Sequence, residues 1–191
     1  MSKEIKNTVI ITIFAVISGF ALSLVHGVTS TVIDARKQQE LREAYAQVLA
    51  EAADFKDMEI EAPVVDDEHN AQIESALEGV DASGATAGYV INVTSHGGYG
   101  GDISFSMGIK ADGSIENISI TAISETPGLG MRAQTEPDFL NQFKDQSTDT
   151  EFVVKDNIQA ISSATFTSKC LTNGINAAAA FYKNNIVGGA N

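Results

Sequence analysis

An uncharged apolar segment near the amino terminus most constrains how this chain can fold. Residues 7–33 contain no Asp, Glu, Lys or Arg, and the run from Val9 to Val25 consists mainly of aliphatic residues, Phe, Ala and Gly. A bilayer core of about 30 Å needs roughly 20 helical residues. The segment therefore predicts a single transmembrane helix, with residues 1–33 forming a cytoplasmic tip and a lipid-embedded anchor. A cleavable signal peptide is the alternative, although its apolar core is usually only about 7–15 residues long.

The charge and cysteine content exclude several classes of function. The chain has 191 residues, with 25 Asp and Glu against 12 Lys and Arg, and a formal net charge of −13. A surplus of carboxylates repels phosphate backbones, so we expect no nucleic-acid partner. The single cysteine, Cys170, excludes an intrachain disulfide and any multi-cysteine zinc or iron-sulfur site. We expect Cys170 to face the core and no metal to be bound.

Two segments follow the anchor before the central part of the chain. Apolar residues at three- and four-residue spacing predict a juxtamembrane helix over residues 34–60, with Leu41, Tyr45, Val48, Ala52 and Phe55 on one face. The stretch from Glu51 to Asp81 contains 11 acidic residues and one lysine. Blocks of like charge usually form solvated surface, so this stretch is interpreted as an acidic face and loop.

Residues 61–191 predict an α+β domain with a largely antiparallel sheet and flanking helices. Strand patterns occur at residues 89–93, 103–109 and 118–122, and the turn residues 111–113 favour a hairpin between the last two. A short helix is expected from Pro137 to Phe143, and a further strand from Glu151 to Lys155. A final helix of about 18 residues is expected from Ala164 onward. Strands joined by tight turns, with helices interspersed, are typical of this fold class.

A cluster of hydroxyl residues marks the start of the final helix. It comprises Ser162, Ser163, Thr165, Thr167 and Ser168. A helix amino terminus favours a phosphate group through its exposed N–H groups and the positive end of its dipole. The alternative is ordinary capping by one serine, with the other hydroxyls at surface positions. The residue pattern alone leaves both interpretations open.

Three motifs resemble those of FMN-binding domains. The segment 161–168, Ile-Ser-Ser-Ala-Thr-Phe-Thr-Ser, resembles the flavinylation motif, in which a Ser/Thr-Gly-Ala-Thr sequence carries FMN as a phosphoester on its final threonine. Residues 124–130, Ser-Glu-Thr-Pro-Gly-Leu-Gly, resemble the loop that borders the flavin, and residues 98–103 give a looser third match. With its anchor and length, the chain is similar to the RnfG family of Rnf-type ferredoxin:NAD oxidoreductases. It departs from the motif at Ser163, where glycine is usual, and at Gln159, where aspartate is common.

The resemblance implies a set of cofactor-binding residues. Thr165 would carry the covalent FMN, and the phosphate and ribityl end would lie against Ser162, Ser163, Ala164 and Thr167. The flavin ring would be framed by the loop residues Glu125, Thr126, Gly128, Leu129 and Gly130, with Tyr99 close to it. Without the resemblance, Pro127-Gly128 would simply indicate a type II turn. A second Ser-Gly-Ala-Thr sequence ends at Thr86, but a turn rather than a helix terminus is expected there.

The resemblance also implies a function for the whole chain. It would be an electron-transfer component of an ion-translocating oxidoreductase complex, not catalytic alone, with its domain on the outer face of the cytoplasmic membrane. Its partners would be the other Rnf proteins, RnfA, RnfB, RnfC, RnfD and RnfE, and, during maturation, a flavin transferase. One alternative is another extracellular flavoprotein, such as one like NqrC of the sodium-pumping NADH:quinone oxidoreductase. A cofactor-free, membrane-anchored binding module is the alternative from a different class.

Overall fold

The computed structural model describes residue 12, residues 42–60 and residues 63–188. The membrane helix predicted within residues 1–33 therefore lies outside the described residues, apart from Thr12. The described residues contain no helix that combines the length and the hydropathy of a bilayer crossing.

Six antiparallel strands form one sheet at the centre of the fold. The strands are β1 (Asp54–Asp57), β2 (Val64–Asp66), β3 (Ala71–Val80), β4 (Thr86–Ser95), β5 (Ile103–Lys110) and β6 (Ile115–Ile123). Their order in the sheet is β1-β3-β4-β5-β6, and β2 pairs with β3 beyond the end of β1. The antiparallel sheet expected from the sequence is confirmed.

The hairpin between β5 and β6 forms where the turn residues predict it. Asp112 Oδ1 accepts hydrogen bonds from the Ser114 N–H at 2.9 Å and from the Ser114 hydroxyl at 2.6 Å. Gly113 adopts a φ of 83°, a conformation that glycine reaches without steric cost. The register places Phe105 opposite Ile120 and Met107 opposite Ile118, so alternate apolar residues of both strands reach the same core.

Four helices flank the sheet. They are α1 (residues 42–48), α2 (Arg132–Thr135), α3 (Asp138–Asn141) and α4 (Thr165–Phe181), which continues into a π-helical segment, Tyr182–Val187. The helix α4 packs against β3, β4 and β5. Gly174 permits this close packing, because a Cβ atom there would lie 2.8 Å from Phe105 Cε1 and 2.9 Å from Ser95 Cβ. The short helix at Pro137 and the long final helix are both confirmed.

The predicted juxtamembrane helix is wrong in its carboxyl-terminal part. The helical residues end at Val48, and Asp54–Asp57 form the edge strand β1, in which Phe55 pairs with Gly79. The rings of Tyr45 and Phe55 nevertheless meet, with centroids 5.5 Å apart. Two apolar residues that a helical spacing assigns to one face are thus brought together by a turn between a helix and a strand.

The loop interpretation of Glu51 to Asp81 is also wrong, since β1, β2 and β3 all lie within it. In β3, Ile73 and Leu77 are buried while Glu74 is exposed, so the strand carries its acidic residues toward solvent. The strand predicted from Glu151 to Lys155 does not form. It is replaced by a turn with one isolated bridge between Val154 and Ile158, and Lys155 in the turn has a φ of 74°.

Candidate functional site

A cavity of about 360 Å³ opens at the amino terminus of α4. Its walls come from three parts of the chain: the glycine-rich segment before β5, the loop after β6, and the first turn of α4. The cavity is lined by Tyr99, Glu125, Thr126, Leu129, Gly130, Ser163, Ala164, Thr165, Phe166 and Thr167. Nine of the predicted cofactor-binding residues are therefore brought together around one cavity.

Thr165 is the first residue of α4 and is half-buried. The residue before it, Ala164, occupies the cap position with a φ of −132°, and no side chain caps this end of the helix. Capping by a serine, the alternative interpretation of the hydroxyl cluster, is therefore not found. The first N–H groups of an α-helix have no acceptor within the helix. This end consequently presents N–H donors and the positive end of the helix dipole beside the Thr165 hydroxyl.

Two predicted residues do not line this cavity. Ser162 is exposed and lines a neighbouring cavity of about 330 Å³, together with Arg132, Gln142 and Gln159. There the Gln142 side chain accepts a hydrogen bond from the Gln159 N–H at 2.7 Å and donates one to the Gln159 carbonyl at 3.0 Å. Position 159, where the family motif has aspartate, is thus held through its backbone. Gly128 acts through the shape of its loop, described next.

The loop after β6 contains a tight turn followed by a close backbone approach. The Leu129 N–H donates to the Thr126 carbonyl at 3.1 Å, and Gly128 has a φ of 77°, which together define a type II turn over Thr126–Leu129. Gly130 then passes so close to α4 that a Cβ atom would lie 2.6 Å from Thr167 Oγ1. The turn and the close approach are therefore successive parts of one loop.

Glu125 connects two walls of the cavity. Its side chain is 7% exposed, and Oε1 accepts a hydrogen bond from the Tyr99 N–H at 2.8 Å. Glycines permit the contact from both sides: a Cβ atom on Gly98 would lie 2.7 Å from Glu125 Oε1, and one on Gly130 would lie 2.7 Å from Oε2. The buried carboxylate therefore holds the glycine-rich segment against the loop after β6.

Phe166 is a cavity residue that sequence reasoning did not assign to the site. Its side chain is 67% exposed, and its ring centroid lies 6.4 Å from that of Tyr99, which is 76% exposed. Leu129 adds a third exposed apolar side chain at the same cavity. The available signal was an aromatic residue within a run of hydroxyl residues at a helix start. Exposed aromatic rings beside a cavity provide a surface for a planar apolar ligand.

Thr86, the competing threonine, lies in a different environment. It is the first residue of β4, directly after the turn at residues 81–85, as the sequence predicts. Its hydroxyl donates a hydrogen bond to Glu78 Oε1 at 2.6 Å. Thr86 therefore has a carboxylate beside it, whereas a phosphate is favoured by N–H donors.

The remaining candidates agree with a structural role. Cys170 is buried, its Sγ lies 3.4 Å from the Ser95 carbonyl oxygen, and burial raises the pKa of its thiol. A buried thiol with a raised pKa is a poor nucleophile. Over the described part of the chain, no three His, Cys, Asp or Glu side chains are grouped so that they could hold a metal ion.

Comparison with known proteins agrees with this geometry. The FMN-binding domain family model matches residues 98–180, which include both the loop after β6 and α4. The model of the RnfG N-terminal region matches residues 1–48. A solved structure of NqrC from Shewanella oneidensis is 20% identical, with a TM-score of 0.47, and the match covers 63% of this chain and 64% of that one.

Three curated relatives, all RnfG proteins, extend the match over most of the chain. The relative from the Na⁺-translocating ferredoxin:NAD⁺ oxidoreductase complex of Acetobacterium woodii is 32% identical, over 94% of this chain and 91% of that protein. The one from the proton-translocating complex of Clostridium ljungdahlii is 36% identical, over 86% and 84%. The one from the ion-translocating oxidoreductase complex of Methanosarcina acetivorans is 30% identical, over 93% and 94%. The site thus lies in an FMN-binding domain, and the chain belongs to the RnfG family of ion-translocating oxidoreductase complexes.

Proposed function

We propose that this chain is the FMN-carrying electron-transfer component of an ion-translocating ferredoxin:NAD⁺ oxidoreductase complex, and that the flavin phosphate is esterified to Thr165. The observation that carries the proposal is the position of Thr165. Its hydroxyl lies at the uncapped start of a 17-residue helix and lines a cavity with eight other residues that the motifs single out. Family membership with the named RnfG relatives supports the complex to which the chain belongs.

The residues present fit FMN at both of its ends. The N–H donors of the first turn of α4, which no side chain caps, suit a phosphate. The exposed rings of Tyr99 and Phe166, with Leu129, suit a planar isoalloxazine ring. A cavity of about 360 Å³ also lies within the range of small-molecule sites, roughly 300–1,000 Å³.

Attachment needs only one reactive group from this chain, the Thr165 hydroxyl. Its Oγ1 would form a bond to the flavin-side phosphorus of FAD. The diphosphate bond breaks, AMP leaves, and the hydroxyl proton is released to solvent or to a base of the transferase. The first-turn N–H groups of α4 offset the charge of the resulting phosphodiester. When bound, FMN supplies the redox chemistry, and the protein positions the ring and sets its surroundings.

The test is the presence and position of covalent flavin. The chain is produced with a flavin transferase, denatured, and examined by gel fluorescence and peptide mass mapping. We expect a fluorescent band with the flavin on the peptide that contains Thr165. Thr165→Ala should abolish the fluorescence, whereas the matched control Thr86→Ala should retain it. A colourless wild-type band would instead favour a cofactor-free binding module, and the reverse result for the two variants would move the attachment to Thr86.

The proposal includes attachment to the membrane. The uncharged segment at residues 7–33 has the composition of a membrane anchor. We assign the domain to the outer face of the cytoplasmic membrane, beside the other proteins of the complex. Removal of residues 1–33 should release a soluble domain, and a truncated product that stays with the membrane fraction would contradict the anchor. Protease added outside intact spheroplasts should digest the domain, and full protection would contradict its location.

A further inference from the structure

Ser168 lies one turn into α4, and its side chain connects both ends of the turn that leads into the helix. It is fully buried, with 0% of its surface exposed. Its Oγ accepts a hydrogen bond from the Ile161 N–H at 2.9 Å and donates one to the Ala164 carbonyl at 3.0 Å. One hydroxyl is therefore used as both acceptor and donor across residues 161–164.

The segment held in this way is otherwise exposed and contains an unfavourable backbone conformation. Ser162 and Ser163 are exposed to solvent, and Ser163 has a φ of 63°, in the left-handed region. That conformation is costly for a residue with a Cβ atom. A hydrogen bond from the Ala164 N–H to the Ile161 carbonyl, at 3.0 Å, closes the turn. Ser168 adds the two contacts that join this turn to the helix.

We propose that Ser168 is a positioning residue for the flavin attachment at Thr165. By holding Ile161 and Ala164, it sets the direction in which the chain enters α4 and so the place of the Thr165 hydroxyl. The inference rests on the proposed attachment and adds a residue that touches neither the flavin cavity nor solvent. A displacement of a reacting group by about 1 Å can lower a rate by up to about a hundredfold.

Thr172 provides a matched control on the same helix. It lies one turn further on, is 1% exposed, and its Oγ1 donates a hydrogen bond to the Ser168 carbonyl at 2.8 Å. It is therefore also a buried hydroxyl bonded to a helix carbonyl. Its bond stays within α4, whereas the bonds of Ser168 reach the turn at residues 161–164.

The experiment compares Ser168→Ala and Thr172→Val in the full chain. The initial rate of labelling with FAD and purified transferase is measured by gel fluorescence, and thermal unfolding shows whether each variant is folded. Hydrogen–deuterium exchange of the peptide that contains Ile161 reports on the contact itself. We expect labelling of Ser168→Ala to slow by about tenfold, with faster exchange at Ile161. Thr172→Val should label within about twofold of the wild type, with unchanged exchange at Ile161.

Wild-type labelling of a folded Ser168→Ala variant would overturn the proposal, as would equal slowing in Thr172→Val. If Ser168→Ala does not fold, Ser168→Cys retains a weaker donor and acceptor of similar size. That variant should label more slowly and exchange faster at Ile161, and wild-type values for both would overturn the proposal. A rescue provides a further test, because Ser163→Gly relieves the left-handed strain and should restore part of the rate lost in Ser168→Ala. An unlabelled wild-type Thr165 would refute the proposed function itself, whereas a labelled wild type with an unaffected Ser168→Ala refutes only this inference.

Discussion

The Tyr99 N–H donates a hydrogen bond of 2.8 Å to Glu125 Oε1, across 26 residues of sequence. This contact holds the glycine-rich segment before β5 against the loop after β6, and the two form opposite walls of the cavity beside Thr165. The shape of the cavity thus depends on one buried carboxylate as well as on the helix terminus.

Replacement of Glu125 should loosen the cavity according to whether an acceptor is retained. Glu125→Ala leaves the Tyr99 N–H without its partner, and a hydrogen bond to a charged group contributes about 1.5–3 kcal/mol. We expect the free energy of unfolding to fall by that order and flavin content to fall with it. Glu125→Gln keeps a side-chain oxygen and should retain most of the flavin. Equal flavin content in the alanine variant and the wild type would contradict this role.

Two glycines in the same loop should fail for different reasons when replaced by alanine. In Gly130→Ala the new Cβ would lie 2.6 Å from Thr167 Oγ1 and 2.7 Å from Glu125 Cβ, so the loop must move away from α4. In Gly128→Ala the Cβ meets no atom within 4 Å, and only the φ of 77° is unfavourable. We expect Gly130→Ala to lose about 2 kcal/mol or more of stability, and Gly128→Ala about 1 kcal/mol. Urea unfolding measures both, and a smaller loss for Gly130→Ala would contradict the steric argument.

Restoring the family's glycine at position 163 should stabilise the fold. The left-handed φ of 63° costs Ser163 about 1–2 kcal/mol, and glycine removes that cost while it adds about 0.4–1 kcal/mol of unfolded-chain entropy. The net expectation for Ser163→Gly is a gain of about 0.5–1 kcal/mol in the free energy of unfolding. Ser163→Ala, which keeps a Cβ atom, serves as the control and should give no gain. A destabilised glycine variant would show that the serine hydroxyl contributes more than the strain costs.

The turn between β3 and β4 should add a pH-dependent contribution to stability. Asp81 Oδ1 accepts hydrogen bonds from the Ser83 hydroxyl and from the N–H groups of Ser83 and Ala85, and these hold the Asp81 pKa below its usual value of 3.8. Because the folded-state pKa is lowered, the stabilisation is present above the unfolded pKa and is lost as the pH falls through the folded one. Asp81→Asn should therefore be less stable than the wild type near pH 6, and the two should converge below about pH 3. Asp67→Asn, at an exposed position in the β2–β3 turn, is the control, and a difference for Asp81→Asn that does not change with pH would contradict the assignment.

The elements that could be predicted are those whose signal is local. Alternating apolar residues indicated β4, β5 and β6, and the Asp112-Gly113 turn indicated the hairpin, because side-chain alternation and turn chemistry depend on neighbouring residues. The strands β1, β2 and β3 were missed because their acidic residues resembled a solvated loop. What makes them strands is pairing, of β3 with β4 and of β1 and β2 with β3. The segment at Glu151 failed for the opposite reason, since a strand-like pattern found no continuous partner.

The amino-acid order alone identified Thr165, the loop after β6 and the hydroxyl cluster, because a phosphate-binding helix terminus and a proline-glycine turn are encoded by adjacent residues. The tertiary structure decided which of these residues share a cavity. It brought Phe166 to Tyr99, placed Ser162 in the neighbouring cavity, and buried the Ser168 hydroxyl beneath the turn. Those relationships depend on how α4 packs against the sheet, and packing of this kind joins residues too far apart in sequence to leave a local pattern.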